Sequence, residues 1–188
     1  MNHDFINYLI TDPKYYSDNP ELFRKNLTKV LKQKQVNMAC FRDKESNNYE
    51  ELAKIFVNVC KENNINKILL NSNYNLSYKL KAHGVHLTSS QFDKIKEAKK
   101  LDLYTVISCH TFKDLDMAMQ FHANAVTYSP IFRTPNKGEP KGISNLKEIV
   151  NLYEDLNIIA LGGIISKEQI EEIKKSKAYG FASIRYFI

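Results

Sequence analysis

Three short stretches pass from apolar residues into groups that can do chemistry. Val106-Ile107 gives way to Ser108 and His110, and Ala125-Val126 gives way to Thr127, Ser129 and a long loop carrying Arg133, Thr134 and Lys137. Ile158–Leu161 gives way to Gly162-Gly163. An imidazole at such a position can shuttle a proton near neutral pH. The loop cations suit a phosphate or a carboxylate. Adjacent glycines can expose backbone N–H groups to an anion. The glycine pair is informative because the chain has only 6 Gly in 188 residues, roughly half the usual share of about 7%. Two of so few, placed together after an apolar strand, mark backbone that something approaches closely or a turn that needs positive φ. Ser108 and His110 alternate with Cys109 along one strand. Cys109 therefore faces the other way, which argues against a Cys–His nucleophilic pair. His86 lies within a strand and reads as a hydrogen-bonded core group, and Cys40 reads as packing, with lining of the pocket as the alternative.

Elements of one architecture must position these groups. Apolar runs of strand length occur at 6–10, 36–41, 68–70, 85–87, 103–107, 125–128, 158–161 and 180–184. Between them lie helical stripes: Leu22, Phe23, Leu27, Val30 and Leu31; then Leu52, Ile55, Phe56 and Val59; then Leu115, Ala118, Met119 and His122. Thr111 with Asp114 forms a capping box that starts the third helix. Eight alternating units favour a (β/α)8 TIM barrel, an α/β fold, as one domain over residues 1–188. No G-x-G-x-x-G follows the first strand, which argues against a dinucleotide fold. Barrels place their active sites at the carboxyl ends of the strands, where all three junctions lie. The chain ends a few residues after strand eight, so the barrel is expected to be a short form lacking its last helix. An uncovered apolar flank there implies a partner, and the expectation is a homodimer, with the face it uses left open.

Composition excludes several classes. The formal charge is +6, but the lysines of KIKEAKK and KEQIEEIKKSK alternate with acids as on solvated helix faces. That favours an anionic small molecule over nucleic acid. No apolar run approaches the roughly 18 residues that span a membrane, and no signal peptide is evident, so the expectation is a cytoplasmic protein. Three widely spaced cysteines, Cys40, Cys60 and Cys109, suit reduced thiols rather than disulfides or zinc.

In order, the pieces YLITD (8–12), FRDK (41–44), LLNSN (69–73), GVHL (84–87), SCHT (108–111), SPIFRTPNKG (129–138) and IALGGI (159–164) resemble the thiamine phosphate synthase/TenI superfamily. The resemblance covers the whole chain and implies a phosphorylated thiazole on the carboxyl-terminal face. It implies His110 as the catalytic proton carrier and Arg42, Lys44, Asn71, Ser108, Thr134 and Lys137 as substrate-binding residues. Gly162, Gly163 and Arg185 would hold the phosphate. Arg185 stands where the family usually has a small serine, so it either binds the phosphate or fills the site. The coupling branch holds a pyrimidine diphosphate through Mg2+, with carboxylates where this chain has Ser72 and Gln91, and a glutamine where it has Cys40. Neither Ser72 nor Gln91 offers the anionic oxygen that Mg2+ prefers. The expectation is therefore no metal and no cofactor, and a TenI-like thiazole tautomerase. The alternatives are thiamine phosphate synthase itself, or a non-catalytic phosphate-ligand-binding or regulatory protein.

Overall fold

The computed structural model describes residues 5–135 and 137–188. Eight parallel strands close into a barrel in sequence order: β1 (Ile6–Ile10), β2 (Met38–Phe41), β3 (Lys67–Asn71), β4 (Gly84–Leu87), β5 (Tyr104–Cys109), β6 (Ala125–Tyr128), β7 (Ile158–Leu161) and β8 (Gly180–Ser183). β1 closes it by pairing with both β2 and β8. The helices are α1 (Pro13–Tyr16), α2 (Pro20–Gln33), α3 (Tyr49–Glu62), α4 (Tyr74–Lys79), α5 (Lys94–Lys100), α6 (Phe112–Gln120), α7 (Gly142–Leu152) and α8 (Lys167–Lys175). Every strand expected from the sequence is present, with ends moved by at most two residues. The Thr111–Asp114 capping box opens α6.

Strand alternation divides the core in two. Tyr8, Ile10, Cys40, Leu69, Val106, Ile159 and Ala182 fill the barrel interior. Leu9, Ala39, Leu70, Val85, Ile107 and Cys109 pack outward against the helices. The same two-residue period carries the inner face past the strand ends, to Arg42, Asn71, Ser108, His110, Ser129 and Gly163. Cys109 does face away from Ser108 and His110.

No α-helix follows β8, only a 3-10 turn over Arg185–Phe187. That turn covers the flank expected to be bare. Phe187 is buried and stacks on Phe181 with ring centroids 5.7 Å apart. Tyr186 packs edge-on against both at 5.3 Å, and the Lys34 ammonium donates to the Tyr186 carbonyl at 3.0 Å. Tyr186 and Phe187 of this turn thus cover apolar surface beside β8 that was expected to be bare. Two stripes are also narrower than expected: Leu22 and Met119 are substantially exposed. His122 lies beyond α6, with a left-handed φ of 58°. The acid–base patterning holds on the surface, where Lys100 pairs with Glu97 and Lys174 with Glu171, three residues apart rather than four.

Candidate functional site

A cavity of about 810 Å3 opens at the carboxyl ends of the strands. His110, Arg42, Lys44, Asn71, Ser108, Thr134, Lys137, Gly162, Gly163 and Arg185 all line it. Six cations border it, since Lys14 and Lys141 join Arg42, Lys44, Lys137 and Arg185. The matching acids are only Asp12 and Glu139. Arg133 is exposed and does not line the cavity, so of the two loop cations weighed together only Lys137 reaches it.

His110 is exposed, one residue beyond β5. Its backbone N–H is held by the Asp114 carboxylate at 2.7 Å, as an extension of the α6 capping box. Its Nδ1 lies 3.2 Å from the Ser129 carbonyl oxygen. The Ser129 hydroxyl lies 3.3 Å from the same nitrogen. The carbonyl only accepts, so in the tautomer that donates to it Nδ1 carries the proton and the Nε2 lone pair is a base. On the opposite wall Arg42 pairs with Asp12 at 3.4 Å. Asn71 donates its amide to the His86 carbonyl at 2.9 Å, which leaves its oxygen as the group to offer. His86 is buried and fully bonded, in contact with Tyr8, Ser108 and Thr127. Burial and then the Arg42 charge push its pKa down to about 4. Cys40 lines the cavity floor, but burial pushes its thiol up to about 12, so it is no nucleophile at neutral pH.

The glycine pair meets both expectations, positive φ and close approach, and what approaches is a loop of the chain itself. Both residues have positive φ, 98° and 71°. A Cβ on Gly163 would lie 2.6 Å from the Arg133 carbonyl oxygen, and one on Gly162 would lie 2.8 Å from the Pro130 Cα. The close neighbour is the loop after β6, which also donates from Ile131 to the Leu161 carbonyl and from Phe132 to the Gly162 carbonyl. The N–H groups of Gly162 and Gly163 nevertheless have no acceptor among the described residues. Arg185 is exposed at the rim instead of plugging the site, which removes one argument for a lost ligand.

Ser72 and Gln91 do not fit a magnesium ion. The Gln91 amide accepts from the Thr88 N–H and hydroxyl, both at 3.1 Å, and donates to the Ser72 carbonyl at 3.3 Å. Both side chains are neutral, and neither residue lines the cavity. Among the described residues no cluster of three or more His, Cys, Asp or Glu side chains could replace them. Sequence reasoning missed Asp12, Lys14 and Tyr15, which α1 brings to the cavity. Their signal was present: Asp12 caps α1 by accepting from the Lys14 N–H, and Pro13 occupies the first helical position.

Comparison with known proteins identifies the family. The thiamine monophosphate synthase family matches residues 7–187. The chain belongs to that family. A family member named putative thiamine-phosphate synthase 2, from Aquifex aeolicus, is 32% identical over 186 residues, 96% of each chain. The thiamine-phosphate synthase of Lysinibacillus sphaericus is 30% identical over 121 residues, 62% of this chain and 56% of that protein. The solved thiamine phosphate pyrophosphorylase from Pyrococcus furiosus superposes with a TM-score of 0.79 at 22% identity, covering 94% of this chain and 84% of that one. The expectations of an enzyme, of this superfamily and of a TIM barrel hold. The relatives' names fall on the coupling branch rather than on the tautomerase branch. No helix among the described residues is long and apolar enough to cross a membrane.

Proposed function

We propose that this family member binds a phosphorylated thiazole across its cationic mouth and moves a proton on the thiazole ring. The supporting observation is His110, whose Nδ1 is held by the Ser129 carbonyl at 3.2 Å while Nε2 is free as a base at the cavity wall. Nε2 takes a proton from one ring position and the resulting imidazolium returns it at another. The isomerisation conserves atoms and electrons. The free N–H groups of Gly162 and Gly163, with Lys137 and Arg185, hold the phosphate through charge-assisted bonds. Arg42, Lys44, Asn71, Ser108 and Thr134 frame the ring. Replacing His110 with Asn should lower isomerisation by a factor of about 10²–10⁴ and leave affinity for the thiazole phosphate nearly unchanged. Full isomerisation by that variant would refute the role.

A second reading is coupling of the thiazole phosphate to a pyrimidine diphosphate. The names of the relatives support it, as do Lys14, Arg42 and Lys44, a second group of cations at the β1–β2 side of the same cavity. Against it stand Ser72 and Gln91, engaged with each other and without charge. Sedimentation tests the further expectation of a homodimer.

A further inference from the structure

Beneath His110 lies a hydrogen-bonded chain that the proton transfer itself does not use. It starts at the Tyr8 hydroxyl, inside the barrel and fully buried. That hydroxyl is 2.9 Å from His86 Nδ1. His86 Nε2 lies 3.1 Å from the Ser108 hydroxyl and 3.3 Å from that of Thr127. Ser108 is the only one of the two hydroxyls that lines the cavity.

We propose that His86 is a positioning residue, which donates from Nε2 to Ser108 and thereby makes the Ser108 hydroxyl a hydrogen-bond donor toward the cavity. The direction of the chain follows from the chemistry of its ends. A phenol is a stronger donor and a weaker acceptor than an aliphatic alcohol. Tyr8 therefore donates to Nδ1, and this is the shortest contact of the three. A neutral imidazole has one donor and one acceptor nitrogen, so Nε2 carries the proton and faces the two alcohols. The competing acceptor for Tyr8 is the Cys40 sulfur, a weak one, whose own thiol donates to the Phe41 carbonyl at 3.7 Å. His86 stays neutral well below pH 6 because burial disfavours its charge, which preserves this polarity. With one lone pair occupied by His86, Ser108 turns its hydrogen to the ligand. The ligand atom above it is then an acceptor. On the phosphorylated-thiazole reading, on which this last step rests, that atom is the ring nitrogen.

Two measurements test the proposal. Nitrogen-15 NMR of the ligand-free protein, with the His86 signals assigned by their loss in His86→Gln, should show protonation on Nε2. Tyr8→Phe should shift it toward Nδ1. Protonation on Nδ1 in the unaltered protein, or no change in Tyr8→Phe, would overturn the assignment. Binding of the thiazole phosphate should exceed that of its N-methylthiazolium analogue by up to about tenfold, and Ser108→Ala and Tyr8→Phe should both narrow that ratio. An equal ratio in all three proteins would refute Ser108 as the donor. If neither compound binds while the Nε2 proton is found, the thiazole reading fails and the positioning role of His86 stands.

Discussion

Replacing Gly163 with Ala should destabilise the barrel by about 2–5 kcal/mol, the sum of two separable costs. The first is backbone strain: a left-handed φ of 71° costs a residue with a Cβ about 1–2 kcal/mol. The second is crowding. The new Cβ would meet the Phe132 carbonyl carbon and oxygen at 2.7 Å and the Arg133 oxygen at 2.6 Å. Backbone atoms cannot rotate away, and overpacking of this kind costs about 1–3 kcal/mol. Two other glycines separate these terms. Gly142 has a φ of 78° with nothing within 4 Å of its Cβ position, so Gly142→Ala should show the strain alone, about 1–2 kcal/mol. Gly138 has open space and no such φ, so its Ala variant should be nearly neutral. Urea unfolding followed by circular dichroism reads the series. With a slope of about 2 kcal/mol/M, Gly163→Ala should lower the midpoint by about 1–2.5 M. Relief of the clash moves the loop after β6, so affinity for thiazole phosphate should fall together with stability. Equal losses in Gly163→Ala and Gly142→Ala would refute the crowding argument. So would loss of affinity at unchanged stability, which would mean that the added methyl acts on the ligand and not on the loop.

Acid should weaken the fold through His86. Above pH 6.5 both folded and unfolded chains hold it neutral; below that, the unfolded chain takes up a proton that the folded one refuses until about pH 4. Stability should therefore fall by about 3 kcal/mol as pH drops through this window, and His86→Gln should flatten that dependence in urea titrations. Lys137→Ala should weaken binding of the thiazole phosphate several-fold by calorimetry, with the difference shrinking in high salt, because an exposed cation at the rim is screened. An effect independent of salt would place Lys137 away from the phosphate. Arg133→Ala, altering a loop cation that does not line the cavity, should leave that affinity unchanged.

The architecture was legible because each barrel strand pairs a short apolar run with polar residues at its carboxyl end. Ile158–Leu161 before Gly162 is one case and Val106-Ile107 before Ser108 another. The two-residue period also oriented Cys109 away from Ser108 and His110. What the sequence hid were contacts between distant segments. Nothing near Gly163 announces that Phe132 and Arg133 press against it. Nothing in RYF at 185–187 announces that Phe187 would stack on Phe181 and cover that flank. Leu22 and Met119 follow the helical period but sit at the margins of their stripes, where packing rather than periodicity decides exposure. The ten candidate site residues converge on one cavity, since the barrel brings every strand end to the same face. Lys14 was missed because α1 is only four residues long, too short for a hydrophobic stripe to reveal it.

The most direct test offers the purified protein two reactions in parallel. One is isomerisation of the carboxylated thiazole phosphate without added metal. The other is coupling of thiazole phosphate with pyrimidine diphosphate in the presence of Mg2+, both followed by chromatography of products. Proton transfer by His110 predicts isomerisation that His110→Asn lowers by about 10²–10⁴, with little coupling. Robust magnesium-dependent formation of thiamine phosphate, with no isomerisation to lose, would contradict the account and assign the chain to the coupling reaction of its named relatives.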